Sequence, residues 1–184
     1  MNEFMMTHPI LTVSVIGSII GTILSYIAPG FTTDYLCAGR GFRIGNFGLN
    51  VFIHNGWGHL AGNLFFMFPG AFMVDSMCKP HPNMRIAVVA IIIVATIIGE
   101  LPIIFSRQNL CGYSEIAFLL IEMGLVYYGR TTKYYGFFLY AIAILVAGVT
   151  IGSDVYSKHN YKFGHILGLS VGALSGYLFS VIFN

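Results

Sequence analysis

Four side chains that can move or hold a proton, His59, Asn63, Ser114 and His165, stand in runs otherwise suited to lipid. A serine beside an imidazole can act as a nucleophile with its general base. An amide and a second imidazole can donate hydrogen bonds to a developing oxyanion. Ionisable and amide side chains are costly toward hydrocarbon, so in a spanning helix they face the protein interior or a water-filled cavity and mark candidate functional positions. For each one alone, the competing reading is an interhelical hydrogen bond that only holds the helices together. His59 and Asn63, four apart in HNGWGHLAGN, share one helical face. Ser114 is the weakest signal by itself, because serine in a membrane helix commonly bonds a carbonyl one turn back. Its surroundings, GYSEI, are not the G-x-S-x-G elbow of soluble hydrolases.

The elements that must position these residues follow from composition. The chain has 184 residues, 57% hydrophobic and 9% charged, with a mean hydropathy of +0.80, which excludes a soluble globule of that size. A hydrocarbon core of ~30 Å needs about 20 apolar residues per helix. Six runs meet that need: Pro9 to Ala28, Trp57 to Val74, Arg85 to Phe105, Gly112 to Tyr128, Tyr135 to Ile151 and Phe163 to Phe183. The expected fold is an all-α membrane protein, a single bundle of six transmembrane helices over 1–184. MNEFMMTH holds no Lys or Arg before the first run, which reads as a retained span and not a cleaved signal. The formal net charge is +2 with the Lys and Arg scattered through loops, so nucleic acid is excluded as a partner.

Consecutive spans alternate direction, so the second, fourth and sixth begin on one face of the membrane. His59, Asn63, Ser114 and His165 all lie within about two turns of those starts, at similar shallow depth. In the sixth span Gly164, Gly168, Gly172 and Gly176 recur every four residues, a spacing that lets another helix approach closely. If that helix is the fourth, which Gly112 begins, Ser114 comes within reach of His165. The first loop, Gly30 to Gly56, is the one long connection and has room for a structured element at the surface. Cys37 and Cys111 fall on the same side and Cys78 on the other. A Cys37–Cys111 disulfide requires that side to be oxidising; three free thiols is the simpler expectation. No cysteine spacing suits a metal.

This pattern resembles the rhomboid family of intramembrane serine proteases along nearly the whole chain. The family's second-span His, His and Asn are matched by His54, His59 and Asn63, its fourth-span G-x-S by Gly112-Tyr113-Ser114, and its sixth-span His and glycines by His165, Gly168 and Gly172. The resemblance implies Ser114 as nucleophile, His165 as general base, and an oxyanion site from Asn63, His59 and the Ser114 N–H. His54 is expected to brace the first loop. With no Asp in the spans near this site, a Ser-His dyad is expected, with no cofactor and no metal. Substrates would be transmembrane helices that unwind near the membrane surface, with the lipid bilayer as the other partner. The family's arrangement implies a multi-pass protein of the cell membrane with its active site toward the outside. The loop charges themselves do not orient the chain.

Three positions depart from the family pattern. Glu115 follows the serine where Gly is usual, Phe118 replaces an aromatic Tyr one turn on, and Phe42-Arg43 is a loose echo of a first-loop Trp-Arg pair. Two other functions remain open at this point. A catalytically silent, rhomboid-like binder of membrane helices is favoured by Glu115. A proton or ion carrier is suggested by Glu100, Glu115 and Glu122 in or near spans.

Overall fold

The computed structural model describes residues 3–39, 48–105, 109–112, 114–156 and 162–183. Six long helices organise them: α1 (Pro9–Ile27), α2 (Trp57–Cys78), α3 (Pro82–Ile104), α4 (Ser114–Thr131), α5 (Gly136–Tyr156) and α6 (Lys162–Ile182). Five, all but α4, are long and apolar enough to cross a membrane. The exception has a physical reason. From Glu115 to Tyr127 every residue of α4 is buried, because α6, α2 and α5 pack around it. A helix enclosed by protein does not need the hydropathy that lipid demands, and α4 carries Glu115, Glu122 and Arg130.

Glycine makes the tightest of these contacts. A Cβ at Gly168, Gly172 or Gly176 of α6 would run into the backbone carbonyl of Glu115, Leu119 or Met123 in turn, one collision per turn of α4. On the other flank, a Cβ at Gly70 of α2 would meet the backbone of Leu120 and Ile121. The four-residue glycine rhythm thus packs α6 along α4, as expected. Around this axis Met67, Val74, Leu119, Leu120 and Met123 form the centre of the core.

Several boundaries differ from the expected spans. α2 runs to Cys78 and α5 to Tyr156, each about one turn further than the apolar runs. The polar residues in those extra turns are accommodated because they find partners. Asp75, for instance, is fully buried and accepts hydrogen bonds from the Ile10 and Leu11 N–H groups at the start of α1. It caps that neighbouring helix; neither Lys79 nor Arg85 pairs with it within ion-pair distance.

The first loop is structured where it is described. A π-helical turn covers Thr32–Leu36 and a 3-10 turn covers Leu49–Phe52. The latter is wedged against α1, where a Cβ on Gly17 or Gly21 would strike Phe52. The Phe42-Arg43 pair and Arg107 lie outside the described residues.

Candidate active site

The helix starts set the site. α4 begins at Ser114, so the Ser114 N–H is among the four amides at a helix start that have no acceptor within the helix. Its hydroxyl Oγ lies 2.9 Å from His165 Nε2, across the glycine-lined α4–α6 contact. The edge of Phe118 faces the His165 ring, with centroids 5.2 Å apart at 78°.

The other ring nitrogen corrects the expected dyad. Asp154, on the last turns of α5, brings its carboxylate oxygens 2.8 and 3.0 Å from His165 Nδ1. The apolar run of the fifth span ends at Ile151, and α5 carries Asp154 about one turn further, into contact. An ionised carboxylate can only accept, so Nδ1 carries the proton and Nε2 is left to accept from the Ser114 hydroxyl. Three residues from three helices therefore form one hydrogen-bonded chain. The hydrogen-bonded pair is largely sheltered, with the Asp154 side chain 7% and the His165 side chain 19% exposed.

The segment before Ser114 is held from below and from the side. Gly112 has φ +124°, and a Cβ there would meet His59 Cε1 at 2.6 Å and Asn63 Nδ2 at 3.5 Å. Glycine is needed on both counts: the backbone is left-handed, and a Cβ would run into the His59 ring, with the Asn63 amide at van der Waals distance beside it. Asn63 Nδ2 is buried and has no hydrogen-bond partner among the described residues.

The first loop supplies three ties to the same segment. Cys37 and Cys111 form a disulfide, so the expectation of three free thiols is corrected and only Cys78 is a free, buried thiol among the described cysteines. Ala38 and Leu110 exchange both backbone hydrogen bonds, at 2.9 and 2.8 Å. The Gly112 N–H donates to Asn50 O at 3.0 Å. Sequence reasoning missed Asn50, whose only signal was its place in a polar loop.

His54 sits beneath this loop. It is fully buried, with Nδ1 3.2 Å from Phe52 O and its ring edge-on to His59 at 5.2 Å. A carbonyl only accepts, so Nδ1–H is the donor. Burial pushes the imidazole down from 6.5 to about 4; the neighbouring His59 adds to the fall and the Phe52 carbonyl opposes it.

With this geometry in place, comparison with known proteins decides the lineage. The family model described as Rhomboid domain matches residues 42–182. The chain belongs to the rhomboid family. No curated protein matches it. The rhomboid match covers α2, α4 and α6, the three helices that bear His59, Asn63, Ser114 and His165, together with α5 and its Asp154. An integral, all-α membrane bundle is the rhomboid fold expected from the sequence.

The departures from the rhomboid pattern find places as well. The Glu115 carboxylate packs against Gly99 of α3. Phe118 occupies the position beside the histidine ring and also contacts Phe66 of α2, with centroids 5.2 Å apart. Glu100 lies buried beside Asn50 and the Gly48 N–H, and Arg130 stacks over the Tyr177 ring at 4.9 Å.

Proposed function

We propose that this rhomboid is an active intramembrane serine endopeptidase that cleaves transmembrane-helix substrates. The observation that carries the reading is the continuous chain Ser114 Oγ, His165 Nε2, His165 Nδ1, Asp154 Oδ2, with links of 2.9 and 2.8 Å. His165 takes the hydroxyl proton as Oγ attacks a peptide carbonyl, and returns it to the leaving amine. The Asp154 carboxylate holds the ring in the acting tautomer and stabilises the imidazolium that forms. The new oxyanion is met by the Asn63 amide, His59 and the Ser114 N–H at the positive end of α4. The acyl-enzyme then needs water, which a site at the starts of α4 and α6 can admit from the surface.

The substrate class rests on the rhomboid lineage and on the place of Ser114 at a helix start. A spanning helix hides its peptide bonds in its own hydrogen bonds, so the segment cleaved is one that unwinds at the level of Ser114. Orientation is supported by the Cys37–Cys111 disulfide, which lies on the face where α2, α4 and α6 begin. Disulfides persist in oxidising compartments, so the active site opens toward the outside of the cell membrane.

The test is labelling with a fluorophosphonate, which reacts with activated serines. Wild-type protein in detergent should label, and Ser114→Ala and His165→Ala should not. Folded wild-type protein that stays unlabelled while a soluble serine hydrolase in the same micelles reacts would overturn the reading.

A further inference from the structure

Apart from the Ser114–His165 contact, a groove of about 420 Å³ opens between α1 and α3. Its walls are Val13 of α1, Val89 and Ile93 of α3, and Phe52 from the first loop, with Ile116 of α4 at its floor. One charged group lines it, Arg85. Its Nε is buried and finds no hydrogen-bond partner among the described residues. The Asp75 carboxylate, taken up by the Ile10 and Leu11 N–H groups, lies within electrostatic reach of Arg85 but makes no ion pair with it.

We infer that this groove binds a single anionic glycerophospholipid, its phosphate on Arg85 and one acyl chain along α3. The inference does not depend on the protease reading. Its dimensions choose the occupant. From Arg85 to Thr96 the groove follows α3 for about three turns, ~16 Å at ~1.5 Å per residue, which is about half of a ~30 Å hydrocarbon core. One leaflet's chain has that length. A slot of this length beside a single arginine suits one acyl chain and its phosphate.

Charge agrees with the dimensions. Arg85 sits near the start of α3, on the face opposite Ser114, and the turns on that face also carry Lys79, Arg130 and Lys133. Arg85 then supplies a charge-assisted, directional contact to phosphate that lysines in the turns do not.

The experiment is native mass spectrometry of the full chain released from micelles, titrated with dioleoyl phosphatidylglycerol. The expected result is one retained lipid per wild-type chain. Arg85→Gln should weaken retention at least about tenfold and Arg85→Lys should weaken it less, both variants being read at unchanged thermal midpoint. Dioleoylglycerol, which keeps the chains and lacks the phosphate, should bind wild type no better than phosphatidylglycerol binds Arg85→Gln. Val89→Trp, which fills the groove, should abolish retention. No retained lipid on wild type, equal retention by wild type and Arg85→Gln, or a dimer mass that competes with lipid would each overturn the assignment.

Discussion

Asp154 Oδ2 lies 2.8 Å from His165 Nδ1, although the two residues belong to different helices and the acid stands beyond the apolar run that defines its own. The contact fixes the tautomer of His165 in which Nε2 faces the Ser114 hydroxyl as acceptor. Removing it should therefore cost rate before it costs fold. Asp154→Asn is expected to slow fluorophosphonate labelling of Ser114 by at least about 10², the low end of what a positioned general base contributes, with Asp154→Glu recovering part of the loss. Equal labelling rates in wild type and Asp154→Asn would show the carboxylate to be a bystander.

Asn63 offers a cleaner separation of activity from stability. Its Nδ2 makes no hydrogen bond among the described residues, so truncation forfeits none there. Asn63→Ala should lower peptide cleavage by ~10²–10³, the effect of losing one oxyanion donor, while the thermal midpoint holds or rises. A fall in both together would mean that the amide is a structural bond and not an oxyanion donor.

Much of this was legible in the sequence because the constraints were local. Glycines every four residues predict a close helix contact wherever they occur in a span, and alternation of direction fixes which helix starts share a surface. Those two facts bring Ser114 and His165 together with no knowledge of the loops. Asp154 was not legible for the converse reason. A polar turn at the end of an apolar run reads as a loop, and only the partner across the interface, His165, shows why the helix continues. Alternation placed Cys37 and Cys111 on one side and so allowed their bond, but at a separation of 74 residues no spacing signal favoured it over free thiols. Nor does hydropathy reveal that α4 is enclosed by its neighbours, since that depends on all of them at once.

Gly112 should tolerate no side chain. Alanine there would have to hold φ near +124°, a strain of about 1–3 kcal/mol, and displace the His59 ring that its Cβ would run into. Gly112→Ala is expected to lose labelling and several degrees of thermal midpoint. Retention of both would mean that the segment before Ser114 rearranges freely, contrary to the ties that hold it.

The disulfide is one of those ties, and its loop is long. Closing 74 residues restricts the unfolded chain by about 4 kcal/mol in the chain-entropy description. Cys37→Ser with Cys111→Ser should therefore lower the thermal midpoint, and should also slow labelling, because Cys111 is three residues from the nucleophile. A midpoint drop with an unchanged labelling rate would assign the bond to stability alone.

His54 makes the bundle sensitive to acid in a defined window. Its folded-state value is depressed from 6.5 to about 4, so between those limits the unfolded chain binds a proton that the folded chain refuses. Stability then rises with pH wherever the unfolded state holds more protons. The contribution of His54 is complete above about pH 6.5 and is lost progressively as pH falls toward 4. Thermal midpoints measured from pH 7 to pH 4 should fall more steeply for wild type than for His54→Gln, which keeps a side-chain donor for the Phe52 carbonyl and cannot take up the proton. Parallel curves would mean that protonation of another group governs the acid limb and that His54 is charged or accommodated in the folded state.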